Sequence, residues 1–380
     1  MIKKLKIKNF KCLRDFQINL KNLTILVGEN ASGKSSIIQA LLLFKQSKEL
    51  ENMVDPNKTI MLNGKYGMNL VTTNEIASVK RDEEKITFEI FFDDYLDSTE
   101  FTFEENKNYL KTSNKELITP DNKIETIIKM MDSFYYLNTE RRGPRVFQDI
   151  PISDALCCGY HGEYTDYIIQ KYSDLRLKAF KNSLFKVILE KSLDFIISGI
   201  QFDIRDLGEY NKAALKLKKI DSETDFISPT NIGFGIAYIL PIIVTLLLAT
   251  EKNKGIVILE NPEVHLHPAG QSKMGEFIAN IANIGVQIIV ETHSEHIING
   301  IRLAILRNSS LFSEKKLNSE DVIINYLKIE NGESQITEIL FNEYADYNNW
   351  PKGFFDQEEL DLMKIIKLKK ELKMMPNEKH

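Results

Sequence analysis

The sequence predicts an α/β protein with a mostly parallel core sheet, an antiparallel β lobe and an inserted helical segment. Three short apolar runs, LTILV, IVILE and QIIVE, each precede a segment whose apolar residues recur at helical spacing. Fully apolar strands that alternate with helices are typical of a parallel sheet covered on both faces. From about residue 50 to 130 the chain instead alternates polar and apolar residues, as in IASVK, KITFEIFF and EFTFE, which indicates antiparallel strands.

The first half of the chain supplies one strand–loop–helix unit. Alternating apolar residues in 2–7 and 16–20 predict two half-buried strands, and LTILV predicts a buried strand that ends at Gly28. Helical spacing over 35–45 predicts the helix that follows. Further along, FYYL predicts another buried strand, residues 164–199 look helical, and QFDIRDL with ALKLKKI predicts a hairpin.

The second half returns to α/β alternation. We expect a helix over about 236–250, the strand IVILE ending at Glu260, a helix after Pro268, the strand QIIVE ending at Glu291, and a helix near Ser294. These patterns predict three parts: a core at 1–50 and 225–345, an inserted β/helical lobe at 51–224, and a tail at 346–380.

Composition restricts the function classes. With 380 residues, 43% of them hydrophobic and 27% charged, the chain can bury one large core or two coupled ones. The 49 basic against 54 acidic residues do not predict a general polyanion-binding surface. Three cysteines, Cys12, Cys157 and Cys158, fit neither a disulfide scaffold nor a zinc site. The longest apolar run, 232–249, contains two glycines and a proline and falls short of a membrane span, so we expect a cytoplasmic protein without a membrane partner.

The strongest motif is GENASGKS, which fits G-x-x-x-x-G-K-[ST] between a predicted strand and a predicted helix. Glycines let backbone N–H groups surround a phosphate, and the helix N-terminus adds partial positive charge. Lys34 can reach the β- and γ-phosphates, and the Ser35 hydroxyl can bind Mg²⁺. A glycine turn before a helix is the simpler alternative, but the flanking elements favour a nucleotide. The predicted ATP-binding residues are Gly28, Glu29, Asn30, Ala31, Ser32, Gly33, Lys34, Ser35 and Ser36.

Acids and a histidine follow two later strands. Glu260 ends IVILE and is the predicted second Mg²⁺ ligand, while Glu263 lies three residues further. His293 follows QIIVE and is well placed to contact a γ-phosphate, although it also fits a plain helix N-cap neighbour. His265 and His267 suggest a metal other than Mg²⁺, but no third ligand follows at a familiar spacing.

Together, GENASGKS, ENPEVHLHP and THSEHI resemble the ABC-type P-loop ATPase heads of the SMC, RecF and OLD-like group. The chain is most similar to stand-alone bacterial AAA-family ATPases of that group that carry a WPxGFFDQ tail, here Trp350 to Gln357, and that occur in anti-phage systems such as Septu. The resemblance covers roughly 1–50 and 225–360.

The resemblance implies roles for single residues. Lys34 and Ser35 would contact phosphate and Mg²⁺, Glu260 would be the metal-side acid, and His293 would be the switch histidine. In the divergent signature motif TNIGFG, the γ-phosphate on a second subunit would be contacted by Asn231, Gly233 and Gly235. The family geometry implies a homodimer, or a higher homo-oligomer, with ATP sandwiched between heads.

Two features depart from the family. The position after Glu260 is usually a second acid but is Asn261 here, and an amide cannot accept a proton at neutral pH. We therefore expect slow hydrolysis with Glu263 assisting as base. The glutamine that usually reaches Mg²⁺ has no clear counterpart, because Gln39 and Gln46 lie on the predicted P-loop helix.

The segment Arg141-Arg142-Gly143-Pro144-Arg145 leaves four alternatives open: a contact with DNA phosphate, with an acidic partner, with the nucleotide, or solvated loop charge.

The resulting functional hypothesis is a nucleotide-gated dimeric switch that regulates a separately encoded effector, a nuclease or other toxic enzyme, in anti-phage defence. The alternatives are a DNA-binding ATPase in repair or maintenance and an OLD-like nuclease component. The nuclease alternative is weakened because no acidic DxD cluster follows His293. Absent heptads argue against coiled-coil arms, and the degenerate signature argues against a transporter ATPase.

Overall fold

A computed structural model describes residues 1–51, 59–81, 83–93, 96–114, 133–151, 157–207, 212–220, 223, 225–232, 234–252, 255–309, 312 and 316–374. The strands are β1 (Ile2–Phe10), β2 (Leu13–Asn19), β3 (Leu23–Gly28), β4 (Thr59–Met61), β5 (Lys85–Phe92), β6 (Leu96–Thr102), β7 (Tyr109–Asn114), β8 (Phe134–Leu137), β9 (Gln148–Asp149), β10 (Arg176–Leu177), β11 (Ser183–Leu184), β12 (Ile200–Leu207), β13 (Lys212–Lys219), β14 (Ile256–Glu260), β15 (Gln287–Glu291), β16 (Val322–Glu330) and β17 (Glu333–Ile339). The helices are α1 (Lys34–Glu51), α2 (Thr73–Ile76), α3 (Thr165–Lys171), α4 (Phe185–Ile196), α5 (Phe234–Ala249), α6 (Pro268–Asn283), α7 (Glu295–Leu306) and α8 (Gln357–Met374).

The central sheet has the order β17-β16-β3-β15-β14-β8. Its strands from β16 to β8 are parallel, and only β17 runs antiparallel. The predicted mostly parallel α/β core is therefore confirmed. The carboxyl ends of β3, β14 and β15 meet at one edge of this sheet, because parallel strands share a direction.

The two faces of the central sheet bury different partners. Leu23, Ile25 and Val27 of β3 pack on one side with α3 to α7. Leu26 packs on the other side with α1 and with a six-stranded antiparallel sheet, β2-β1-β5-β6-β7-β4. A strand with alternate residues in two cores must be apolar throughout, which explains the sequence of β3.

The two large sheets do not follow the expected boundaries between core and inserted lobe. We expected residues 1–50 to belong to the core and 51–224 to form an inserted lobe, but β1 pairs with both β2 and β5 in the antiparallel sheet. Strand β8, within the expected lobe, is instead the edge strand of the central sheet. The predicted hairpin is confirmed as β12 and β13. The predicted helix over 164–199 is two helices, α3 and α4, separated by the short β10–β11 hairpin.

Within the described ranges, no helix is long and apolar enough to cross a membrane.

Candidate nucleotide-binding site

The loop between β3 and α1 is shaped by close approach to β16. Gly28 has φ +144°, and a Cβ there would lie 2.0 Å from the Leu327 carbonyl oxygen. Gly33 also has a positive φ, +103°, in the region that favours glycine. The hydroxyl of Ser334 donates to the Ser32 carbonyl at 2.6 Å and ties the loop to the start of β17. The motif glycines are therefore required by the backbone path itself.

Lys34 lies at the first position of α1 and folds over this loop. Its Nζ donates to the carbonyl oxygens of Gly28 at 2.9 Å and Glu29 at 2.7 Å. Burial lowers its pKa, and the carboxylate of Glu291 opposes that effect. No acidic residue occupies the first turn of α1, so its N-terminus keeps a partial positive charge. A buried ammonium beside a helix N-terminus is an anion-binding arrangement.

The carboxylate beside the P-loop serine belongs to Glu291. Ser35 Oγ lies 3.2 and 3.3 Å from the two Glu291 oxygens. Glu291 is 5% exposed, and burial raises its pKa to about 7, helped by the charge of Glu260 and opposed by Lys34. A hydroxyl and a carboxylate are the oxygen ligands that Mg²⁺ prefers. The donor set therefore fits this ion, whose charge would offset the crowding of carboxylates that raises the pKa of Glu291.

Glu260 lies on the next strand, directly opposite Glu291 in the sheet register. Its two carboxylate oxygens accept hydrogen bonds from Tyr136 at 2.9 Å and from the hydroxyl and backbone N–H of Thr139 at 3.1 and 3.2 Å. The hydrogen bonds of Glu260 thus point toward β8, and the carboxylate beside Ser35 is that of Glu291. Sequence reasoning placed Glu291 at a strand end but gave it no role. Its position directly before Thr292-His293 was the signal available.

The structure brings Glu263 and His293 together. The backbone N–H of His293 donates to Glu263 Oε1 at 2.8 Å, whereas Glu263 Oε2 is buried without a hydrogen-bond partner among the described residues. Burial and the charge of Lys34 lower the pKa of His293, and Glu263 opposes them. The next residue, Ser294, caps α7 by accepting from Ile297 N–H at 3.3 Å. The helix expected beside this histidine is confirmed, whereas its contact with a γ-phosphate stays a prediction.

Asn261 adopts a left-handed backbone, φ +43°, which asparagine tolerates well. Its N–H donates to the Glu291 carbonyl at 2.7 Å, and its Nδ2 donates to Thr139 Oγ1 at 2.8 Å. Its Oδ1 is buried, with no partner in the described parts of the chain. The orphan oxygen can accept one hydrogen bond, from water for example, but cannot take up a proton.

The arginine cluster divides into a buried and an exposed part. Arg141 is 3% exposed and donates to the carbonyl oxygens of Asn138 at 2.9 Å, Glu260 at 2.7 Å and Asn261 at 2.7 Å. Burial lowers its pKa to about 10. The guanidinium therefore fixes the backbone at the end of β14, while Arg145 is exposed. For Arg141, the structure replaces the four open alternatives with a role in supporting the acid loop.

The predicted signature residues lie beside this acid loop. Asn231 is exposed in the turn before α5, Gly235 lies in the first turn of α5, and Gly233 lies outside the described residues. A Cβ on Gly235 would lie 3.1 Å from the His265 carbonyl, and the His265 ring stacks 4.3 Å from the Tyr238 ring. No hydrogen bond of the described residues joins Asn231 or Gly235 to the P-loop of the same chain.

The tail packs against Tyr326 of β16, close to the P-loop. Phe354 is 1% exposed, with ring contacts to Tyr326, Tyr347 and Trp350. A cavity of about 140 Å³ separates this aromatic cluster from the P-loop and from Thr292 and His293. Its lining residues are Val27, Gly28, Glu29, Thr292, His293, Tyr326, Gly353, Phe354 and Phe355.

Two family models match the sequence of this chain. A family model described as an AAA ATPase domain matches residues 1–150 and 162–298, which is most of the chain. The chain belongs to this ATPase family. Residues 317–365 of the ATPase match a second model, described as a protein of unknown function (DUF3696).

Individual relatives agree with the fold. The ATPase is 46% identical to the OLD nuclease of Thermus scotoductus over 41 residues, which are 11% of the chain and 8% of the nuclease. It is similar to a crystal structure of the SMC head bound to the C-terminal winged-helix domain of ScpA, with TM-score 0.53, 13% identity and coverage of 90% of this chain and 98% of that one. The SMC head domain from Thermotoga maritima is also similar, with TM-score 0.45, 15% identity and coverage of 88% and 98%. The likeness to the SMC head with TM-score 0.53 concerns the fold of the ATPase.

Proposed function

We propose that this ATPase binds ATP and Mg²⁺ at residues 28–36, hydrolyses ATP slowly, and acts as a dimeric switch that controls a separately encoded effector. The observation that carries the nucleotide site is the convergence of three groups: Lys34 at the start of α1, the Ser35 hydroxyl beside it, and the Glu291 carboxylate within 3.3 Å. This set combines an anion-binding helix end with oxygen ligands for a cation, as a magnesium nucleotide requires.

In the proposed binding step, Lys34 exchanges the carbonyl oxygens of Gly28 and Glu29 for phosphate oxygens. Ser35 and Glu291 would hold Mg²⁺, which would neutralise part of the phosphate charge. Glu260, one strand away from Glu291, stays hydrogen-bonded to Tyr136 and Thr139. We thus propose that Glu291 takes the ligand role that the family pattern implied for Glu260.

Hydrolysis depends on orienting a water and accepting its proton. Glu263 has one carboxylate oxygen held by the His293 N–H and one without a partner, so it is the proposed base. Asn261 offers an amide oxygen that orients water without taking its proton. A base displaced from the usual position supports slow turnover, with ATP acting mainly to hold a closed state.

Closure would come from a second copy whose Asn231, Gly233 and Gly235 contact the γ-phosphate. In one chain, the contact of Gly235 with His265 joins this signature segment to the loop that carries Glu263. A γ-phosphate bound by both chains would give ATP a higher affinity for the closed dimer than for the open state. A switch needs such a difference in affinity between its two states. The separately encoded effector and the role in anti-phage defence rest on the resemblance of the motifs and tail.

The experiment is ATP hydrolysis and ATP binding by the purified protein. Lys34→Ala should abolish binding and phosphate release, whereas Lys8→Ala, an exposed lysine on β1, should change neither. Phosphate release that survives Lys34→Ala would reject the site. Sedimentation of Glu263→Gln should show more association with ATP than without it, and an assembly state that ATP does not change would reject the composite arrangement.

The effector hypothesis needs a separate experiment in cells. Protection against phage should require both this protein and the product of a neighbouring gene, and Lys34→Ala should remove it. Full protection by the neighbouring product alone would contradict the regulatory role.

A further inference from the structure

Helix α8 presents apolar side chains to solvent. Leu362, Met363, Ile365 and Ile366 are between 46% and 57% exposed, although α8 follows directly on the buried tail cluster around Phe354. Beyond residue 360, its hydrogen bonds and ion pairs within the described chain are internal, such as Lys364 with Asp361. Adjacent exposed apolar residues on one helix mark an association surface.

One face of α8 carries an ordered pattern. At 3.6 residues per turn, eight residues of 358–370 fall within about 160° of the helix circumference. Along that face run two acids, four apolar residues and two lysines: Glu358, Glu359, Leu362, Met363, Ile365, Ile366, Lys369 and Lys370. We call these eight residues the mirror face, because the sequence of charges reverses about residue 364.

We propose that the mirror face pairs antiparallel with the same face of a second copy of this chain. Around a two-fold axis near residue 364, Leu362 and Ile366 lie near the middle of the face and pack on the same two residues of the other copy, with Met363 and Ile365 on its two flanks. The two-fold axis brings the same flank of each helix together, so Glu358 lies beside Lys369 of the other copy and Glu359 beside Lys370. Every contact across the pair is then apolar with apolar or acid with base, as an isologous interface demands.

Charge also excludes the parallel arrangement. In a parallel pair Glu358 and Glu359 would face their own copies, and Lys369 and Lys370 would do the same. Like charges in direct opposition destabilise a helix pair and set its orientation. Lys364 lies on the opposite side of α8, where it pairs with Asp361, so it does not interrupt the apolar contacts.

The interface is small. A helix of 13 residues is about 20 Å long, and such a pair buries less than about 1,200 Å² in total, the range of weak and transient interfaces. We expect association in the micromolar range without nucleotide. This pairing is independent of the proposed ATP-sandwiched heads, and it should persist in Lys34→Ala.

The test uses charge reversal in the full-length protein, by sedimentation in nucleotide-free buffer with EDTA. Lys369→Glu/Lys370→Glu makes the mirror face wholly acidic, and Glu358→Lys/Glu359→Lys makes it wholly basic. Each variant alone should weaken self-association at least about 10-fold, and an equimolar mixture should restore a dimer. Unchanged association of either variant, or a mixture that stays monomeric, would overturn the proposal.

A wild-type protein that stays monomeric would also overturn it and would assign α8 to a partner of different sequence. A crosslink fixes the direction of the pair. Under oxidation, Glu358→Cys mixed with Lys369→Cys should form a disulfide between the two variants, with the wild type, which has Cys12, Cys157 and Cys158, as background control. Efficient crosslinking of Glu358→Cys with Glu359→Cys would indicate a parallel pair and refute the register.

Discussion

Glu291→Gln should stabilise the protein without nucleotide and metal while weakening its response to Mg²⁺ and ATP. Burial raises the pKa of Glu291 from 4.5 to about 7, so folding disfavours the ionised carboxylate. The raised folded pKa means that stability falls as pH rises from 4.5 through 7, because the unfolded chain ionises first. The resulting cost is about 0.8 kcal/mol at pH 5 and about 3 kcal/mol at pH 8.

A glutamine keeps the oxygen that faces Ser35 but does not ionise. For a chain of this length about 3 kcal/mol corresponds to a melting-temperature difference of about 4 °C, so Glu291→Gln should melt about 4 °C higher at pH 8 and about 1 °C higher at pH 5. Thermal melts in EDTA across this pH range measure the difference, with the exposed Glu343→Gln as control. A difference that does not change with pH, or a less stable variant at pH 8, would refute the reasoning. Mg²⁺ with ATP should then raise the melting temperature of the wild type more than that of the variant.

Three further predictions concern the loops around the site. Arg141→Ala leaves three buried carbonyl oxygens without their donor and should cost about 3 kcal/mol, or about 4 °C in melting temperature, whereas the exposed Arg145→Ala should cost almost nothing; equal melting temperatures would contradict the support role. Gly28→Ala should abolish ATP binding and destabilise the fold by at least about 2 kcal/mol, because its Cβ would lie 2.0 Å from the Leu327 oxygen; a variant that binds ATP normally would show that the loop can move. Glu263→Gln should slow phosphate release about 100-fold with ATP binding retained, measured under single turnover; an unchanged rate would remove Glu263 as base.

Local patterns in the sequence were enough for the P-loop unit and for the strands that end in acids. GENASGKS follows a strand and opens a helix, and the strands IVILE and QIIVE end at Glu260 and Glu291 as expected. Each of these inferences depends on residues a few positions apart or on the shared direction of parallel strands.

Other features depend on which strands are neighbours, and local sequence does not encode that. Strand β15 lies between β3 and β14, so its terminal acid Glu291, and not Glu260, contacts Ser35. In the sequence, Arg141 resembled an exposed loop charge. Two of its three carbonyl acceptors belong to Glu260, the last residue of β14, and to Asn261, and both lie more than 100 positions away along the chain. The pairing of β1 with β5 likewise joins segments that the sequence assigned to different parts.

The most direct measurement of the central claim is a crystal structure with a non-hydrolysable ATP analogue and Mn²⁺ in place of Mg²⁺, with the anomalous signal locating the metal. We expect one anomalous peak in contact with the Ser35 hydroxyl and the Glu291 carboxylate, and triphosphate density along residues 28–36. A metal bound by Glu260 with Glu291 turned away, or a P-loop without nucleotide, would contradict it.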